Sequence, residues 1–182
     1  MSLPFPIYPF RREEILRRGA MQNPSPEEIA RLDACLKEAA PRLAYKITER
    51  PRPLAVVPEA ERGPFAGCES VIIFTARLGD AFRTLAAENQ DPEQAILLSA
   101  LGAERMDALV ESYLDYKEKV FSPGGAALTP HYPYHWEGEA EDVATTTRIV
   151  GVGFHPENMA ESRCRSCFAA HCANRREAAG PV

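Results

Sequence analysis

Gly67-Cys-Glu-Ser-Val-Ile-Ile-Phe-Thr-Ala-Arg-Leu-Gly79 holds the most strand-like run in the chain, Val71 to Ala76. β-Branched and aromatic side chains suit a pleated surface, and the unbroken apolar character predicts a strand buried on both faces. Leu78-Gly79-Asp80 reads as a sharp exit, with Asp80 capping a helix that carries Phe82 and Leu85. Upstream, Leu43, Tyr45 and Ile47 alternate with smaller or polar residues, as a half-buried strand does. Pro51-Arg-Pro53 reads as a turn and Leu54 to Val57 as a further strand. Downstream, Thr147 to Phe154 reads as the last strand, and Gly151 and Gly153 mark a bulge or a close backbone approach.

Helices separate these strands. Arg11 to Arg18 forms a short charged helix stopped by Gly19. Ser25-Pro26-Glu27-Glu28 places a capping serine, a proline at the first helical position and a glutamate three residues after the cap. Ile29, Leu32, Leu36 and Ala39 follow at helical spacing until Pro41; Cys35 beside them reads as a small buried hydrophobe. Asp91-Pro-Glu-Gln94 repeats the start signal for the longest helix, which runs to about Val120. Ile96, Leu97, Leu101, Leu109, Val110, Tyr113 and Leu114 form its buried stripe, and Gly102 is a weak spot. Phe121-Ser-Pro-Gly-Gly125 stops it. Thr129 to Asp142 reads as an irregular loop. The order has no βαβ rhythm and no internal repeat, so the expected class is α+β, with a mainly antiparallel sheet flanked by helices.

A chain of 182 residues is read as a single domain, 1–182, with a proline-rich extended arm over 1–10 and a cysteine-rich segment over 155–182. Hydrophobic content of 45% and charged content of 26% are those of an ordinary globular protein. A net charge of −5 argues against general nucleic-acid binding, and no apolar run approaches the length of a membrane span. The first ten residues lack a basic region followed by an apolar run, so the expectation is no export and a cytoplasmic location.

Three of the five cysteines, Cys164, Cys167 and Cys172, fall within nine residues and are flanked by Arg163, Arg165, Arg175 and Arg176. Positive neighbours favour thiolates, and a Cys-x2-Cys spacing lets tight backbone wrap two of them around one metal. An iron–sulfur cluster or a zinc ion is the cofactor this pattern suggests. Cys68 is the preferred fourth ligand, because His171 adjoins Cys172 and the two are awkward to use together. Free thiols on a short helix and a redox dithiol fit the same residues.

Taken in order, several blocks resemble the activation domain of cobalamin-dependent methionine synthase and the small stand-alone proteins related to it. They are Glu14-Ile-Leu-Arg-Arg-Gly19, the Gly67–Gly79 stretch, the long alanine-rich helix, Ser122-Pro-Gly-Gly125, and the terminal Gly151-Val-Gly with its cysteine pattern. The resemblance implies a twisted antiparallel sheet, binding of S-adenosylmethionine, and presentation of its methyl group to cobalamin held by a partner. A corrinoid protein or a methyltransferase is the partner it implies. Val120 stands where that family carries an arginine and Gly125 where it carries a tyrosine. An isopropyl group does not replace a guanidinium against a carboxylate.

The expected ligand groove is built from Leu78 and Gly79, from Ser122, Pro123, Gly124 and Gly125, and from Tyr134 and His135. A plain helix stop also accounts for Ser122–Gly125. His131, Tyr132, Tyr134, His135 and Trp136 fit either a pocket for a planar ligand or a surface loop with aromatic anchors. Glu137, Glu139, Glu141 and Asp142 read as a solvated acidic run, and His155 as a turn residue.

Overall fold

The computed structural model describes residues 3–134 and 141–153. Within these residues four α-helices, α1 (Arg12–Arg18), α2 (Pro26–Ala39), α3 (Asp80–Glu88) and α4 (Pro92–Phe121), accompany four strands. The strands are β1 (Lys46–Pro53), β2 (Cys68–Arg77), β3 (Ala127–Pro133) and β4 (Thr145–Gly153). They form one antiparallel sheet in the order β1-β2-β4-β3. The fold is α+β, as the segment order implied.

The two sheet faces differ. Ile72, Phe74 and Ala76 of β2, with Val150 and Leu128, pack against Ile15, Leu32, Cys35, Phe82 and the α4 stripe. On the opposite face Val71, Ile73 and Ile149 meet Val57, Phe65, Cys68 and Tyr134, with no α-helix among the described residues. Val71 to Ala76 is therefore buried on both sides. Fully burying apolar side chains of this size contributes about 1.5–3 kcal/mol each, so β2 is the anchor of both cores.

The start of α2 follows its sequence signal in full, those of α4 and α3 only in part. Ser25 Oγ accepts from Glu28 N at 3.2 Å while the Glu28 carboxylate accepts from Ser25 N at 2.6 Å. Asp91 caps α4 by accepting from Glu93 N at 3.0 Å, but the expected capping box is not closed: Gln94 donates instead to Glu38 at 2.8 Å. Asp80 does not cap α3. Gly79 holds that position, and Asp80 is the first helical residue, paired with Arg83.

Other expectations are corrected by tertiary context. Pro51-Arg-Pro53 is not a turn but the end of β1, tolerated because β1 is an edge strand whose outer backbone groups need no partner. Leu54–Val56 is a 3₁₀ turn rather than a strand, and Arg62 fastens it by donating to Val57 O at 2.8 Å. The start of the expected irregular loop, 129–133, instead belongs to β3, with Pro130 absorbed in a bulge opposite Gly151. There the Thr129 hydroxyl accepts from Gly151 N at 2.8 Å. Ile29 and Ile96 are 40% and 51% exposed, off the buried stripes of their helices. Gly102 is no weak spot: a Cβ there would lie 2.8 Å from Val143 Cγ2 and 2.9 Å from Val143 O, so its absence lets that segment lie on the helix.

The N-terminal arm lies on its own domain. Phe5 stacks on Tyr116 with centroids 5.2 Å apart, and Tyr8 N donates to Ser112 Oγ at 3.1 Å. At the middle of α4, Arg105 and Glu104 are almost fully buried. Arg105 donates to Tyr8 O and Pro9 O at 2.8 Å each, and its guanidinium lies 4.1 Å from the centre of the Phe10 ring. Burial works against the charged form of Arg105, but the Glu104 carboxylate and the Tyr45 hydroxyl outweigh it, raising the pKa above its ordinary value.

Candidate functional site

The register divides the expected groove between two ends of the sheet. Cys68 and Ala127 both face Gly153, so the start of β2, the start of β3 and the end of β4 meet at one end. Ser122–Gly125 leads into Ala127 and belongs to that end. Leu78 and Gly79 follow Arg77, which pairs with Thr145 at the other end, about 30 Å away along a ten-residue strand. One pocket of ordinary size does not span both groups.

Leu78 and Gly79 are structural in their contacts. Leu78 is fully buried; its N–H donates to Ala144 O at 2.9 Å and its carbonyl accepts from Ala44 N at 2.7 Å. Gly79 has φ +99°, and a Cβ would lie 2.9 Å from that of Ala44. Ser122, Pro123, Gly124 and Gly125 are all exposed. Gly125 adopts the left-handed conformation that ends the α4 extension, and a Cβ on Gly124 would meet nothing within 4 Å. Gly124 and Gly125 thus stand clear of the described residues. Half-exposed Val120 precedes it.

Cys68 is buried at the same end of the sheet, in the core that faces away from the helices. Its Sγ packs onto the bare Cα of Gly151, where an added Cβ would approach it to 2.6 Å. Desolvation pushes its thiol pKa up, and burial pushes that of Cys35 up to about 11. Both are protonated near neutrality, and they lie in different cores. Tyr134 is buried with Cys68, its N–H donating to Thr147 O at 3.0 Å. His135, Cys164, Cys167 and Cys172 lie outside the described residues, as do Trp136, His155 and His171. Among the described residues no three His, Cys, Asp or Glu side chains come together as a metal site. No helix among them is long and apolar enough to cross a membrane.

Two features escaped the sequence reading. His131 sits on β3, not in a loop; its buried Nδ1 has no hydrogen-bond partner among the described residues. Desolvation, aided by the Arg148 charge, lowers its pKa to about 4, so the ring is neutral at pH 7. The second is the outer face of β1, where Lys46 lies directly opposite Arg77. Its signal was present in the alternation of Lys46, Thr48, Arg50 and Arg52, once the prolines are read as edge-strand residues rather than turn formers.

Neither comparison with models of protein families nor comparison with curated proteins finds a match to the chain.

Proposed function

We propose that the protein is an accessory module of cobalamin-dependent methyl transfer, of the type represented by the methionine synthase activation domain, acting by docking on a corrinoid protein or methyltransferase in the cytoplasm. The supporting observation is the arrangement of the segments that carry the resemblance. The Gly67–Gly79 stretch is the central strand, the alanine-rich helix lies on one sheet face, and Ser122–Gly125 projects from its exit beside the end of β4. The exposed loop, clear of neighbouring side chains, is the docking element in this reading.

The loop does not fit the family's grip on S-adenosylmethionine. Val120 and Gly125 supply neither a guanidinium for the carboxylate nor a phenol, and no step is assigned to that ligand. Calorimetric titration of the full chain with a cobalamin-loaded corrinoid protein, and separately with S-adenosylmethionine, tests the reading. Binding of the corrinoid protein that Gly124→Arg abolishes, with folding intact, is the expected result. Silence toward both ligands refutes it.

A second reading has one observation in its favour: β4 ends at Gly153 directly opposite Cys68. Cys164 follows eleven residues later (153 to 164), and an extended segment of that length reaches roughly 36 Å, ample for a return to Cys68. In this reading Cys68 joins Cys164, Cys167 and Cys172 around zinc or an iron–sulfur cluster, and the metal would have to draw the proton from the buried Cys68 thiol. Elemental analysis of anaerobically prepared protein decides it. Metal-free protein with silent Cys164→Ser, Cys167→Ser and Cys172→Ser variants sinks this alternative.

A further inference from the structure

Lys46, Thr48, Arg50 and Arg52 lie on the face of β1 turned away from the helices, since Ile47 packs into the helix-side core and Glu49 accepts from Tyr113 and Lys117 of α4. Their cross-strand partners are Arg77, Thr75, Ile73 and Val71. Lys46 and Arg77 are like charges directly opposed, an arrangement that is destabilising in isolation. Lys46, Arg52 and Arg77 are exposed and make no ion pair among the described residues. Arg50 lies in the same row and has an interaction of its own. Among the described acids at the Arg77 end, Asp80 and Asp142 are engaged by Arg83 and Glu141 by Arg148.

Charges on edge strands commonly guard against aggregation, but here Pro51 and Pro53 already interrupt the edge, and Arg77 belongs to an inner strand. The opposed cations therefore need another reason. From Lys46 to Arg52 the row is about 20 Å long, and Val56, 39% exposed, lies just beyond its end. A cationic row with an adjoining apolar contact suits a protein surface, whose interfaces join charged rims to apolar patches. A long polyanion such as a nucleic acid would meet the net charge of −5 carried by the whole chain.

We infer that the exposed edge row of β1 together with Arg77 at the end of β2, centred on Lys46, Arg52 and Arg77, is a docking surface for the acidic face of a protein partner. It is separate from the Ser122–Gly125 loop and does not depend on the corrinoid reading.

The test uses the full chain and fluorescence anisotropy of a labelled peptide of alternating glutamate and valine, with an oligothymidylate of equal formal charge in parallel. The peptide is expected to bind in a salt-sensitive manner. Arg52→Glu/Arg77→Glu is expected to weaken it about tenfold or more, whereas Lys37→Glu/Lys119→Glu leaves it within about twofold. Lys46→Glu alone is expected to weaken binding yet raise Tm by about 1–3 °C, because it turns a repulsive cross-strand pair into an attractive one. No peptide binding, equal loss in the two double variants, or a lowered Tm in Lys46→Glu overturns the proposal. Tighter binding of the oligothymidylate overturns it in favour of a nucleic-acid surface.

Discussion

Replacing Arg105 by methionine is the sharpest test of how the arm and α4 hold each other. The aliphatic stem keeps most of its volume, so the change removes charge and hydrogen bonds rather than opening a large cavity. Glu104, with no exposed surface, loses the Arg105 contacts at 2.6 Å and keeps, among the described residues, the Arg11 Nε and backbone N–H at 3.1 and 3.2 Å. Breaking a buried ion pair from one side typically costs about 3–5 kcal/mol. The arm also loses its donors to Tyr8 O and Pro9 O and the cation over Phe10. Those carbonyls regain water when the arm lifts, and Arg11 offsets part of the charge. The expected loss is therefore about 3–4 kcal/mol, or a Tm lower by about 6–16 °C for a chain of this size.

Urea unfolding followed by circular dichroism measures this loss, and hydrogen exchange at the Tyr8 and Arg11 amides reports the arm separately. The double variant Glu104→Leu/Arg105→Met discriminates the cause. Removing both charges should recover most of the loss, because the desolvation penalty of the stranded carboxylate disappears with it. A single-variant loss below about 1 kcal/mol, or a double variant as unstable as the sum of its parts, refutes the reasoning.

Three further outcomes follow from the geometry. His131 has a folded pKa near 4, below its ordinary 6.5, so the unfolded chain binds the extra proton between those values. Stability is then nearly full above pH 6.5 and falls by on the order of 3 kcal/mol as pH drops to 4, about 2 kcal/mol of it by pH 5; His131→Phe should flatten urea midpoints between pH 7 and 5. Below that window Glu14 adds its own loss, because Arg17 and Arg18 hold its carboxyl down to about 2 and stability disappears as it protonates. Gly151→Ala forces a Cβ to within 2.6 Å of Cys68 Sγ and 2.8 Å of Thr129 Cγ2, for a loss of about 1–3 kcal/mol that Cys68→Ala should partly restore. Cys35 and Cys68 should resist a thiol reagent at pH 8 until the chain is unfolded, read by peptide mass spectrometry; rapid native labelling of either contradicts its burial.

The local signals were legible because their physics is local. A serine, a proline and a glutamate within four residues satisfy the first turn of α2 wherever that helix ends up. The apolar run at Val71 demands burial on both sides in any fold, and Phe121-Ser-Pro-Gly-Gly125 cannot continue a helix. The elements misjudged were those whose reading depends on neighbours. Pro51 and Pro53 join a strand only because β1 lies at an edge, and Pro130 sits in β3 only because a bulge opposite Gly151 absorbs it.

The sequence by itself therefore determined the class, the strand buried on both faces, the long helix, the start of α2 and the stop of α4, all set by residues within a few positions of one another. Tertiary structure alone decided which distant residues meet. The β1-β2-β4-β3 order and its register put Cys68 and the Ser122–Gly125 loop at one end, and Leu78 and Gly79 about 30 Å off at the other. The same register opposes Lys46 to Arg77 and turns their row outward. Such meetings depend on strand pairing across the whole chain, where a one-residue slip would turn every side chain of the strand to the other face.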